Sequence, residues 1–191
     1  DSVFVVKEEL RKRKEWNKES YLVLWDVIKC FDRIPKAHIW TSMNLLGIDP
    51  TMIAAVKSTL HDTTCTMIID SIPKSVKMTD GSGQGTTLGP LLCNFFFLPI
   101  LELWCHDMRH IAPTMITAEG DKFSTFISNF ADDTAMMIGN QEEMKLVVST
   151  FPPFLADFGV EVHTSTKRDQ PSKSSIIHIP ANKEQKMACQ K

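Results

Sequence analysis

Two adjacent carboxylates, Asp132 and Asp133, stand between two short apolar segments of the sequence. Phe126 and Ile127 precede them, and residues 135–138 follow. An exposed turn also tolerates two aspartates, but these flanks favour a buried hairpin. Acidic groups in apolar surroundings cost free energy unless a positive charge lies against them. The pattern therefore predicts two strands joined by a tight turn whose acids require a cation.

A third carboxylate, Asp26, ends the continuous apolar run from Tyr21 to Trp25. Such a run is typical of a strand that is buried on both faces. If this strand is a neighbour of the Asp132 hairpin, three carboxylates converge at one edge of a sheet. Two Mg²⁺ ions about 3.5–4 Å apart require a carboxylate cluster of this kind. The chemistry expected there is activation of a 3′-hydroxyl and stabilisation of a leaving pyrophosphate.

A glycine-rich segment, Gly81-Ser82-Gly83-Gln84-Gly85, lies shortly before a long apolar stretch that begins near Leu88. Glycines allow a backbone to approach a flat ligand, and a helix N-terminus favours anionic groups. The segment is not a P-loop, because no Gly-Lys-Ser/Thr follows it. Taken alone, it is a weak signal, and an ordinary loop is the favoured interpretation.

The elements around these residues are read from hydrophobic periodicity and from glycine and proline positions. Pro152 and Pro153 are expected to kink or split the helix that contains them. The order of these helices and strands along the chain predicts an α+β domain with a mostly antiparallel sheet. The predicted helices span residues 3–16, 35–46, 51–60, 88–109 and 141–158, and the predicted strands span residues 21–25, 63–69, 75–78, 123–129, 134–138 and 174–179.

Three short segments, taken together in their order along the chain, indicate a protein family more specifically than any one of them does alone. They are DVIKCFD from Asp26, QGTTLGP from Gln84 and FADD from Phe130. They resemble motifs A, B and C of reverse transcriptases, especially those of non-long-terminal-repeat retrotransposons. Residues 33–48 are similar to the family's continuation of motif A, and residues 158–174 to its fourth palm motif. The resemblance covers about residues 20 to 180.

The resemblance implies a polymerase palm, an antiparallel sheet with helices packed on one face, with partial fingers and no thumb. Residues 1–180 would form this palm, and residues 181–191 a tail or the start of a truncated downstream segment. The rest of the fingers and the thumb would come from other segments of a longer polyprotein. The chain alone is therefore expected to be weakly active or inactive.

The resemblance also implies residue roles. Asp26, Asp132 and Asp133 would be catalytic, and together with the backbone carbonyl of Val27 they would bind two Mg²⁺ ions, with Mn²⁺ possible. The nucleotide-binding residues would be Phe31, Gln84, Gly85 and Lys173.

Two of these nucleotide-site roles have competitors. Phe31 would be a steric gate that excludes a 2′-hydroxyl, although it also fits an ordinary core position. Lys173 would approach the triphosphate, and Lys167 competes with it for that role.

Composition limits the function classes only in part. The net charge of −2 counts against nucleic-acid binding as a bulk property. Five scattered cysteines without a CxxC pair favour a reducing, intracellular compartment, and the resemblance makes the nucleus plausible. No uninterrupted run of about 18 apolar residues occurs, so no spanning helix and no membrane partner are expected.

The function expected from the resemblance is RNA-directed DNA polymerisation, with an RNA template, a DNA primer and deoxynucleotides as partners. An RNA-directed RNA polymerase shares the palm and the double aspartate, but Phe31 argues against it. A catalytically inactive or domesticated palm remnant that binds nucleic acid or protein is a further alternative. An unrelated α+β domain with accidental motifs would place Asp26 and Asp132 far apart.

Overall fold

A computed structural model of the chain describes residues 2–61, 63–83, 85–116, 119–164 and 172–181. A 3-10 helix, Arg109–Ile111, follows the long helix that ends at Met108. The elements follow one another in this order: α1 (Ser2–Glu15), β1 (Ser20–Asp26), α2 (Cys30–Arg33), α3 (Lys36–Leu45), α4 (Pro50–Leu60), β2 (Thr64–Ile69), β3 (Ile72–Lys77), α5 (Gly89–Met108), β4 (Met115–Ile116), β5 (Lys122–Phe123), β6 (Ile127–Phe130), β7 (Asp133–Ile138), α6 (Gln141–Ala156) and β8 (Ser175–Ile179).

The main sheet has four strands in the order β6-β7-β1-β8, and every neighbouring pair is antiparallel. The apolar strand β1 lies inside the sheet, which explains why it lacks the alternation of a half-exposed strand. Two separate two-stranded sheets, β2–β3 and β4–β5, complete the strand pairings among the described residues. The predicted α+β class with antiparallel pairing is confirmed.

Helices α5 and α6 pack on one face of the main sheet through aromatic side chains. The Trp25 ring of β1 lies 5.3 Å from the Phe151 ring of α6, and the Trp104 ring of α5 lies 5.1 Å from Phe151. Helix α1 instead borders an apolar groove that is lined by Leu10 and by Leu24 of β1. The expected packing of helices on one face therefore describes α5 and α6, and not α1.

Helix α5 bears on the expectation that no segment spans a membrane. The helical segment Gly89–Ile111 is long and apolar enough to do so by length and composition alone. The earlier expectation considered only uninterrupted apolar runs. In this fold, Phe96, Phe97 and Trp104 of α5 are fully buried in the core, and a core helix of a globular domain has the same composition.

Helix α6 continues through Pro152 and Pro153, so the predicted split is wrong. Each proline removes one backbone N–H donor. The helix persists because Phe151 and Leu155, on either side of the prolines, are buried in the core. Its first turn is also capped, since the Asn140 side chain accepts a hydrogen bond from the Glu143 backbone N–H. The structure also contains the short helix α2, which the sequence did not predict.

Candidate active site

The three predicted carboxylates lie at one end of the pair formed by β1 and β7. Asp26 and Asp133 face each other as register partners across this pair. Asp132 directly precedes Asp133 in the turn between β6 and β7. The prediction that the Asp26 strand and the double-aspartate hairpin are neighbours is confirmed, and the alternative of an unrelated domain with distant acids is contradicted.

The turn that carries Asp132 is held by two asparagine amides. Ala131 is buried and has a φ of 54°, in the left-handed region that alanine rarely adopts. Its N–H donates to Asn94 Oδ1 of α5 at 2.9 Å. Asn129 Nδ2 donates to the Ala131 carbonyl at 3.2 Å and to Thr134 Oγ1 at 2.9 Å. Sequence reasoning missed both roles, although Asn94 stands out as a polar residue within an apolar helix.

Three residues from the C-terminal part of the described chain lie next to Asp26. Its backbone N–H donates to Ser174 Oγ at 3.1 Å, and its carbonyl accepts from the His163 N–H at 2.8 Å. His163 Nε2 lies 3.6 Å and Lys173 Nζ 4.0 Å from Asp26 Oδ2. Lys173, which was predicted for the site, is thus beside Asp26, whereas Ser174 and His163 were not predicted as site residues.

Gln84, Lys167 and Val27 were also predicted as candidate site residues. Gln84 and Lys167 lie outside the described residues. Val27 is buried and forms a β-bridge with Val162. The two hydrogen bonds that flank this bridge use the Ile28 N–H and the Asp26 carbonyl, and neither uses the Val27 carbonyl.

The glycine-rich loop is docked on α2. The Gly81 N–H donates to the Ile34 carbonyl and the Ser82 N–H to the Phe31 carbonyl, each at 2.8 Å. Gly81 has a φ of +85°, and a Cβ there would lie 2.6 Å from the Phe31 oxygen. Only glycine fits this close approach. Gly85 has a φ of +79°, but a Cβ on it would meet nothing within 4 Å.

Phe31 is half-buried and packs partly against the hydrophobic core. Its Cδ1 atom would lie 3.5 Å from a Cβ built on Gly89, the first residue of α5. The ring is therefore enclosed on one side by the start of α5. Both interpretations of this residue, a core side chain and a wall of a nucleotide site, fit its position.

The electrostatics of the acids favour a bound cation. Burial, the neighbouring Asp132 charge and the Asp26 charge together raise the pKa of Asp133, in decreasing order of effect. A divalent cation would relieve this repulsion. Within the described residues, no group of three or more His, Cys, Asp or Glu side chains forms a ready metal-binding set. Mg²⁺ often takes only one or two carboxylates together with water and substrate phosphates, so these oxygen donors fit it.

Comparison with known families agrees with this geometry. The profile of the family described as reverse transcriptase (RNA-dependent DNA polymerase) matches residues 4–175. The chain belongs to the reverse transcriptase family. The match includes Asp26, Asp132, Asp133 and Lys173, so all four residues lie within the family's domain.

Solved structures support the fold of this reverse transcriptase domain. Telomerase of Candida tropicalis truncated from its C-terminal domain matches at 15% identity with a TM-score of 0.62, covering 95% of this chain and 35% of that chain. Apo telomerase of the same organism matches at 13% identity with a TM-score of 0.62, covering 92% and 32%. Its telomerase in complex with a fragment of telomeric RNA matches at 14% identity with a TM-score of 0.59, covering 92% and 28%. The reverse transcriptase chain thus spans about a third of the length of these solved chains.

Proposed function

We propose that this reverse transcriptase chain is the palm of an RNA-directed DNA polymerase of the non-long-terminal-repeat retrotransposon type. It would add deoxynucleotides to the 3′-hydroxyl of a DNA primer on an RNA template. The observation that carries the proposal is the pairing of Asp26 with Asp133, with Asp132 in the adjoining turn. Fingers and thumb would come from other segments of a longer polyprotein.

Asp26 and Asp132 would hold two Mg²⁺ ions, or Mn²⁺ in their place, with the Val27 carbonyl as a further ligand. Bound there, the two ions would activate the primer hydroxyl and stabilise the leaving pyrophosphate. Asp133, which faces Asp26 across the strand pair, would lie beside the primer terminus. Lys173 would stand on the triphosphate side, where its ammonium group can donate a proton to the leaving group.

The nucleotide would lie between α2 and the glycine-rich loop. Phe31 would pack against the sugar and leave no room for a 2′-hydroxyl, while Gln84 and Gly85 would lie along the nucleotide and the template base. The contacts of Gly81 and Ser82 with α2 support this arrangement, because they bring the loop against the segment that carries Phe31.

A graft tests the proposal. Residues 20–180 replace the palm of a related polymerase that supplies fingers and thumb, and primer extension is measured on an RNA template with Mg²⁺ and deoxynucleotides. We expect extension that is lost in Asp132→Ala. Asp107→Ala is the matched control, since Asp107 lies in the last turn of α5 with its side chain 65% exposed, and extension should persist in it.

Other outcomes point to the alternatives. A folded graft that binds template and primer but extends nothing indicates a palm remnant. Extension that prefers ribonucleotides indicates an RNA-directed RNA polymerase. Equal extension by Asp132→Ala and by the control would contradict the role of Asp132. The 191-residue chain alone is expected to show little activity, and processive synthesis by it would contradict the need for fingers and thumb.

A further inference from the structure

Two cysteine thiols meet between the elements that frame the acidic site. Cys30 is the first residue of α2, and Cys93 lies in the second turn of α5. Their Sγ atoms are 3.0 Å apart, and the residues are 2% and 0% exposed. Of the other described cysteines, Cys65 is exposed and Cys105 is partly buried.

We propose that Cys30 and Cys93 are a redox modification site that closes to a reversible disulfide when a hydroperoxide reaches it. One thiol, as its thiolate, attacks a peroxide oxygen to give a sulfenic acid and one water or alcohol. The second thiolate then attacks that sulfur and releases a water. Two thiols are oxidised, one peroxide is reduced, and both thiol protons leave in the products.

The position of the pair favours the second step, the closure of the disulfide. A sulfenic acid on either cysteine would form in contact with the other sulfur, so disulfide closure needs no large movement of the backbone. A bulky thiol would have to enter the core to compete. Because both sulfurs are buried, reduction of the disulfide by large reductants should also be slow.

Burial of the two thiols should slow the first step, the attack of a thiolate on the peroxide. Hydrogen bonding to Cys93, burial, and the negative charges nearby, including Asp132, raise the pKa of Cys30. Because the thiolate is the reacting form, the pair should react with peroxide more slowly than the exposed thiol of Cys65. The expected behaviour is therefore a slowly formed and well-shielded disulfide, and not a rapid sensor.

The disulfide would join two segments that position site residues. Cys30 is followed directly by Phe31, and Cys93 is followed by Asn94, which accepts the hydrogen bond from Ala131. Oxidation would fix the spacing between α2 and α5 at this point. The inference concerns the thiols themselves and holds whether or not the chain polymerises.

Peptide mapping tests the proposal. The native 191-residue chain is incubated with hydrogen peroxide, unfolded, alkylated and digested with trypsin. Cys30 lies in the tryptic peptide 30–33, and Cys93 lies in peptide 78–109 together with Cys105. We expect these two peptides to be linked, with the link removed by dithiothreitol. It should be lost in Cys93→Ser and retained in Cys105→Ser, which changes the other cysteine of the same peptide.

Fragment ions of the linked wild-type peptides assign the bonded cysteine without any variant, so a Cys93→Ser chain that fails to fold does not weaken the test. Fragments that place the bond on Cys93 support the proposal. Fragments that place it on Cys105 overturn it, as does a peptide 30–33 that is still unlinked after prolonged incubation, when the oxidation of Cys65 is complete.

Discussion

Replacing Asn94 with alanine should destabilise the chain through the turn that carries the double aspartate. Asn94 Oδ1 accepts the backbone N–H of Ala131, which is 4% exposed. The variant leaves that N–H without its partner in a place that water reaches poorly. A buried donor without a partner costs about 1–3 kcal/mol. Alanine returns about 0.5 kcal/mol of helix propensity, so a net loss of about 0.5–2.5 kcal/mol is expected.

Asn44→Ala is the matched control. Asn44 lies in α3, is exposed, and donates only to the Trp40 carbonyl of its own helix at 3.0 Å. The change of side chain is the same in both variants, and both residues lie in helices. The difference in unfolding free energy between them therefore reports mainly the contact between Asn94 and the turn.

Urea unfolding followed by tryptophan fluorescence measures this difference. Trp25 and Trp104 are buried in the core, so their emission reports global unfolding. With a slope of about 2 kcal/mol per molar urea, Asn94→Ala should lower the midpoint by about 0.25–1.25 M. If both variants unfold within about 0.2 M of each other, the hydrogen bond to Ala131 does not stabilise the turn and the reasoning is wrong.

Three further predictions concern single residues. Gly81→Ala should destabilise the folded chain by about 3 kcal/mol or more, and Gly85→Ala by only about 1 kcal/mol. Both glycines have a positive φ, but only Gly81 lies close to a backbone carbonyl. Equal losses of unfolding free energy in urea would contradict this. Burial raises the pKa of Glu9, so the folded chain loses stability as pH rises above the ordinary glutamate range. Glu9→Gln should therefore raise the urea midpoint at pH 7 and not at pH 4. An equal gain at both pH values would argue against a buried, destabilising Glu9 charge. In the graft, Phe31→Ala should raise ribonucleotide use relative to deoxynucleotide use by about tenfold or more, and an unchanged ratio in competition assays would assign Phe31 to the core.

The acidic site could be predicted from the sequence because its strongest signals are local. Asp26 and the Asp132 pair each interrupt an apolar segment, and that contrast is visible without any knowledge of the fold. The pairing of their strands was then a single hypothesis, which the register of Asp26 with Asp133 confirms.

The supporting contacts could not be predicted, because they join residues that are distant in sequence. Nothing near Asn94 indicates that its amide reaches Ala131, and nothing near Ser174 indicates that it accepts from Asp26. The split predicted at Pro152 failed for a related reason. Local backbone chemistry favours a break there, and packing of Phe151 against distant residues outweighs it.

The central position of β1 has a consequence for how the chain folds. The hairpin of β6 and β7 is local and can form within microseconds, so Asp132 and Asp133 can be brought together early. Strand β1 precedes both of its partners, β7 and β8, by most of the described chain, and contacts of such long range slow folding. During synthesis, this apolar strand leaves the ribosome well before either partner exists. The acidic site is therefore completed late, and until then β1 is an unpaired apolar segment that is prone to aggregation.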